Sequence, residues 1–276
     1  MSQPSAAAPV ARDCALEARL RQHLEGTAMG RSLYAFSSVG STMEVAHELA
    51  QQRAPHGTLV WAQRQEQGRG RLGRVWESPA GGAYFSLILW PLHTATEIPQ
   101  LSLVAGLAAV QTIQQSAGLF ATIRWPNDVL IDGKKVCGIL VEAAIPFSTQ
   151  HQAHSTQSYV IIGVGLNVTT DPLDLPEHAT SLKAAGAMHA DSYELTAALC
   201  RQFQTWYDVW SSQGFAPIRE ALRPFMGLFG QVVHIAAGSS RFEGTASDLD
   251  EQGRLVVRLD SGVQRAFDMG EVTLLR

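Results

Sequence analysis

Apolar positions along the chain alternate between a helical and a strand period, and the order of those periods predicts the fold. In DCALEARLRQHLEG, Leu16, Leu20 and Leu24 fall four apart, with Asp13 as N-cap and Gly26 as stop signal, which predicts a short helix. SLYAFSS predicts a strand that runs into the helix STMEVAHELAQQ, where Ser41 and Glu44 have capping-box spacing. The strands TLVWAQ and AYFSLILW follow, then the helix LSLVAGLAAVQTIQQSAG, preceded by Pro99 and closed by Gly118. TIRWPNDVLIDGKKVCGILVEA predicts strands meeting at an Asp132-Gly133 hairpin turn. PFSTQHQAHSTQS is a polar loop, YVIIGVGLNV a buried strand, and DSYELTAALCRQFQTWYDVW the longest helix, begun by Asp191 and ended before Gly214.

From Phe229 the texture changes. QVVHIAA, RFEGTAS, RLVVRLD, VQRAFD and EVTLLR are short strands at hairpin spacing, which predicts a small C-terminal all-β barrel attached near Pro224 to Leu228. The larger part mixes hairpins with helices, so the fold class is α+β, a mixed β-sheet domain with helices. The domain boundaries expected are a tail and short helix over 1–30, the main domain over 31–226, and the barrel over 227–276.

Composition narrows the class. A net charge of −4 and 17% charged residues argue against a general nucleic-acid binder. The apolar runs stop short of a membrane span, and residues 1–12 carry no apolar signal segment. Cys14, Cys137 and Cys200 are odd in number and far apart, which suits reduced thiols and a cytoplasmic protein. The histidines show no metal-ligand spacing, and His151 and His154 sit in the polar loop, where solvation is expected.

Two segments stand out. GRGRLGRVW, Gly68 to Trp76, alternates glycines with arginines and holds no acid. It satisfies GxGxxG, but Pro79 and two glycines precede a strand where a dinucleotide fold needs a helix, and no GK[ST] follows for a phosphate loop. A solvated hairpin tip and an anion cradle of amides and guanidiniums remain open. With little apolar surface to bury, the loop is expected to order on ligand binding. The second segment is RWPNDVLIDGKKVCG, Arg124 to Gly138. Strand alternation from Lys135 puts Lys135, Cys137 and Ile139 on one face, where the lysine needs an anionic partner.

Together these segments resemble the biotin protein ligases, marked by a GRGRxGRxW…SP…G loop and a KWPND…K…GIL segment. The chain carries GRGRLGRVWESPAGG and RWPNDVLIDGKKVCGILVE in that order, with Ser41-Thr42, Gln65 and GVGLN ending at Asn167 in support. The likeness runs from about Leu33 to the C-terminus. It implies a class II synthetase-like, lipoate-ligase-like domain over 31–226 that converts biotin and ATP to biotinyl-5′-AMP. Biotin then passes to a lysine of a biotin carboxyl carrier domain of a carboxylase. By the resemblance, biotin would lie on Ser41, Thr42, Met43, Gln65, Gly68, Arg69, Gly70, Arg71 and Lys135. ATP and the adenylate would lie on Arg71, Arg74, Trp76, Arg124, Asn127, Asp128 and Asn167. Lys135, Arg71 and Asp128 would be catalytic, with magnesium entering alongside ATP near Asp128 rather than in a protein cage. Arginine at 124 departs from the family's lysine and exchanges a point charge for a planar fork. Repressor members carry an N-terminal DNA-binding domain, whereas the residues before Leu33 make one helix at most, so a monofunctional ligase without nucleic-acid or membrane partners is expected. A homodimer is left open. The rival readings are a lipoate or octanoate ligase or transferase of the same fold, and a non-catalytic adapter.

Overall fold

The computed structural model describes residues 11–144, 158–237, 240–268 and 271–274. The polar loop with His151 and His154 lies outside the described residues. The main body is a seven-stranded sheet in the order β1-β2-β3-β7-β6-β5-β4. Its strands are β1 (Leu33–Phe36), β2 (Thr58–Ala62), β3 (Gly82–Leu89), β4 (Thr122–Arg124), β5 (Asp128–Ile131), β6 (Lys134–Ala144) and β7 (Tyr159–Asn167). β1 and β2 run parallel and every other neighbouring pair is antiparallel. Asp132 and Gly133 turn β5 into β6 with φ of 49° and 77°, the left-handed pair that an Asp-Gly hairpin supplies.

Alternation along the strands builds two cores of unequal size. Leu59 and Trp61 of β2, Phe85 and Leu87 of β3, and Val160 and Ile162 of β7 face the larger one. It is covered by α3 (Gln100–Ala117) and α4 (Ser192–Gln213), with α1 (Cys14–His23) and α5 (Ala216–Leu222) around them. Buried apolar area is the main stabilising term in such a layered packing. Asp13 caps α1 by accepting from the amides of Ala15 and Leu16, and Asp191 caps α4 in the same way. The other sheet face carries a smaller core under α2 (Thr42–Gln51), built from Phe36, Met43, Ala46, Val60, Ile88 and Ile161.

β8 (Val232–Ala237), β9 (Ser240–Leu249), β10 (Leu255–Leu259), β11 (Gln264–Phe267) and β12 (Glu271–Leu274) form a separate antiparallel sheet in the order β11-β10-β9-β8-β12. Its β9–β10 turn reaches the main body: Gly253 O accepts the Trp125 indole N–H at 3.0 Å, and Glu251 O accepts from Gln100 at 3.2 Å. Among the described residues, no helix is long and apolar enough to cross a membrane.

Two sequence expectations are corrected. Ser41 is the N-cap residue of α2, but its side chain makes no capping bond. The Gln65 side-chain oxygen accepts from the Thr42 amide at 2.9 Å instead, a long-range cap that spacing within one segment cannot reveal. Lys135 does not share the face of Cys137 and Ile139. The β5–β6 register shifts between Val129 and Leu130, so Val129 pairs with Cys137 while Leu130 pairs with Lys135. That extra residue turns Lys135 to the side of Gly138, whereas Cys137 and Ile139 stay in the large core.

Candidate active site

Where the α2 face of the sheet runs out of side chains, a slot begins. Across β3, β7 and β6 one row reads Ser86, Gly163, Leu140 and the next reads Tyr84, Gly165, Gly138. A Cβ on Gly165 would collide with the Trp76 indole, one on Gly163 with the Met43 thioether, and one on Gly138 with Trp76 and Lys135. The glycines thus clear room for groups that approach the sheet closely. Trp76 and Met43 fill most of that room, and a cavity of about 50 Å³ remains. A larger cavity of about 830 Å³, within the roughly 300–1,000 Å³ usual for small-molecule pockets, shares Arg69, Gly70, Arg71, Ile139 and Leu140 with it.

One end of the slot is a polarised hydrogen-bond chain. Ser86 Oγ donates to Thr42 Oγ1 (2.9 Å), Thr42 Oγ1 to Gln65 Oε1 (3.0 Å), and Gln65 Nε2 to Ser78 Oγ (2.9 Å). Gln65 is therefore fixed at both ends of its amide. Beside this chain the Ser41 hydroxyl is buried without a hydrogen-bond partner, and so is the Trp76 indole N–H. Such orphaned groups cost free energy in a closed protein, and a polar ligand would satisfy them.

The other end is cationic. Lys135 Nζ lies 2.6 Å from Asp128 Oδ1, Arg124 Nη2 lies 2.6 Å from Asp128 Oδ2, and Lys135 Nζ stands 4.9 Å from the Trp76 ring centre. Strand pairing sets this arrangement, because Arg124 and Asp128 are direct partners across β4 and β5. Asn127 is locked to β6, donating to Ile139 O at 3.1 Å while its own carbonyl accepts from the Ile139 amide. Its side-chain oxygen accepts from Arg71 Nη1 at 2.9 Å.

The arginine loop itself is a tight hairpin. Trp76 N donates to Gly68 O and Gly70 N to Arg74 O, with a 3-10 turn over Arg71–Gly73 at the tip. Gly68 is obligatory, since a Cβ there would collide with Trp76 O. Thr42, Met43, Gln65, Arg69, Gly70 and Arg71 line the cavity, together with Trp76, Asn127 and Lys135. Asp128 pairs with Lys135 and Arg124, and Ser41 precedes Thr42 at the start of α2. Arg74 is exposed at the hairpin tip. Asn167 ends β7, where its side-chain nitrogen donates to Thr180 O at 3.0 Å and its side-chain oxygen, Oδ1, is buried without a partner. Sequence reasoning missed the slot-clearing glycines 138, 163 and 165. The signal was present in GVG, since residues two apart on a strand share a face. It also missed Glu142, whose carboxylate takes Arg69 and His47.

Residues 35–167 match the Biotin/lipoate A/B protein ligase family, and residues 228–275 match the biotin protein ligase C-terminal domain. The chain is 36% identical over 256 residues to the bifunctional ligase/repressor BirA of Bacillus subtilis, covering 91% of this chain and 77% of that protein. It is 31% identical over 273 residues to the biotin–[acetyl-CoA-carboxylase] ligase of Mycobacterium tuberculosis, covering 94% and 96%. Among solved structures, the biotin protein ligase from Aquifex aeolicus in complex with biotin and ATP is similar with a TM-score of 0.75 at 28% identity. That match covers 89% of this chain and 99% of the other. With both patterns matched in order along one chain, and relatives of this identity aligned over most of their length, the protein belongs to the biotin protein ligase family.

Proposed function

We propose that the chain activates biotin with ATP and transfers it to a lysine of a biotin carboxyl carrier domain. The observation that carries this is the slot itself, cleared by glycines, with orphaned polar groups at one end and the Lys135–Asp128–Arg124 cluster at the other. The ureido ring of biotin satisfies Ser41, Thr42 and Gln65, and backbone groups of Arg69 and Arg71 frame it. The valeryl chain runs over Gly163 and Gly138 toward Lys135. An ammonium has three donors, so Lys135 can keep Asp128 while reaching both the biotin carboxylate and the α-phosphate. Asp128 aims the lysine and Arg124 before the polyanion arrives. Arg71, Arg74 and Asn127 then meet phosphate oxygens, Trp76 flanks the adenylate, and Asn167 offers its free acceptor on the nucleotide side.

The carboxylate oxygen attacks the α-phosphorus and pyrophosphate leaves. The acceptor lysine, as free amine, then attacks the acyl carbon, releasing AMP and a proton. Fixed positive charge in a water-poor slot offsets the repulsion between anionic nucleophile and polyanion. Magnesium would arrive on ATP's phosphates. Among the described residues no cluster of acids, histidines or cysteines forms a metal cage. Both Asp128 oxygens already face cations, so a magnesium ligand role there would displace one of them. In this reading residues 31–226 hold both substrates in a cytoplasmic enzyme, and residues 227–276 brace the corner that carries Asn127 and Asp128. Incubation with biotin, MgATP and a purified carrier domain should add one biotin to one lysine, read by intact mass and peptide mapping. No mass gain with a competent acceptor would contradict the reading.

A further inference from the structure

The arginine loop is fastened to the sheet by Glu142, which ends the GILVE run and to which the resemblance assigns no role. Glu142 lies on β6, where the strand passes beside α2, and pairs with Ile161 of β7. One oxygen, Oε2, takes both Arg69 Nη2 at 3.0 Å and His47 Nε2 at 2.8 Å. The second ring nitrogen of His47 sits 3.2 Å from the Tyr159 hydroxyl, and Tyr159 packs edge-on against both His47 and Trp90. With Glu142 ionised, His47 Nε2–H donates to the carboxylate. His47 and then Arg69 hold the Glu142 carboxyl below its ordinary range, against the opposing effect of burial.

We infer that Glu142 is a positioning residue of the biotin site, anchored by His47 and Tyr159, which fastens the loop through Arg69. Arg69 begins the hairpin, bridged to Val75, and the next residues, Gly70 and Arg71, line the slot. A second side-chain fastening of the loop, Arg71 to Asn127, ends on groups assigned above to the phosphates, so it is exchanged when ATP binds. The Glu142–Arg69 pair involves neither substrate and persists through turnover. It therefore sets how well the loop frames biotin and how long the adenylate is retained, without touching the reacting atoms. This rests on the biotin reading of the slot for its substrate, but not for the fastening itself.

The test compares wild type with Glu142→Ala, the near-isosteric Glu142→Gln, His47→Ala, Arg69→Ala and the Glu142→Ala/Arg69→Ala pair. A partly exposed ion pair predicts about a fivefold rise in KM for biotin in Glu142→Ala, with a matching fall in the half-life of bound adenylate. kcat and KM for ATP should stay at wild-type values. Glu142→Gln and His47→Ala should show smaller rises, and the double variant should be no worse than Glu142→Ala alone. Trypsin should cut after Arg69 faster in ligand-free Glu142→Ala than in wild type, at unchanged melting temperature. Equal biotin KM and equal adenylate retention in a wild type that does use biotin overturn the positioning role. An unchanged cleavage rate after Arg69 overturns the fastening whichever acid the enzyme takes.

Discussion

Lys135 is the residue on which the chemistry turns, because it lines the slot and pairs with Asp128. Lys135→Ala should fold normally and lose biotinyl-adenylate formation by about 10²-fold or more, the scale of removing one preorganised charge donor. Single-turnover formation of the adenylate measures it, and a wild-type rate would remove Lys135 from the mechanism. Arg124 tests charge against shape. Its guanidinium reaches Asp128 through one nitrogen, a contact that an ammonium can reproduce. Arg124→Lys should therefore stay within about tenfold of wild type, under ~1.4 kcal/mol, while Arg124→Ala loses more. An alanine variant with full activity would place this position outside the site.

The loop from Gly68 to Trp76 is the element that joins biotin, nucleotide and solvent. At its tip Leu72 takes φ 57° and is 74% exposed, a left-handed leucine with little burial to offset its cost of about 1–2 kcal/mol. Arg69, Arg71 and the Trp76 ring in the slot contribute to its hold on the body. That ring lines the cavity, so biotin with MgATP should change Trp76 emission, a signal absent in Trp76→Phe. Trypsin cuts after Arg71 and Arg74 should slow with ligand while cuts elsewhere continue. Identical cleavage with and without ligand would make the loop a static edge. Most elements were legible from periodicity, caps and turn residues, since those signals are local. Three features were not. The β5–β6 bulge that re-aims Lys135 depends on pairing, the Gln65 cap on α2 spans 23 residues, and the His47–Glu142 contact spans 95. The site was found through its loop and its WPND corner, whereas its glycine floor was visible in GVG only once β3, β7 and β6 were side by side.

At the scale of the molecule, the C-terminal sheet bears on the phosphate corner through a buried hydrogen bond, Trp125 Nε1 to Gly253 O. Trp125→Phe keeps an aromatic ring but orphans that carbonyl, which costs about 1–3 kcal/mol. The urea midpoint should fall and KM for ATP should rise more than KM for biotin; no change in either would uncouple the sheet from the site. The thiols report on the same packing. Burial pushes Cys137 and Cys200 up to about 12, while Cys14 is exposed. A thiol reagent at neutral pH should modify Cys14 in the native protein and the other two only after unfolding. Prompt native reaction at Cys137 would mean that β6 is not packed as described. The central claim is that this slot turns a biotin carboxylate into an acyl phosphate anhydride, and ATP–pyrophosphate exchange tests it most directly. The account predicts exchange stimulated by biotin, absent with lipoate, octanoate or no acid, and lost in Lys135→Ala. Exchange driven by lipoate or octanoate, or none with biotin, would contradict it.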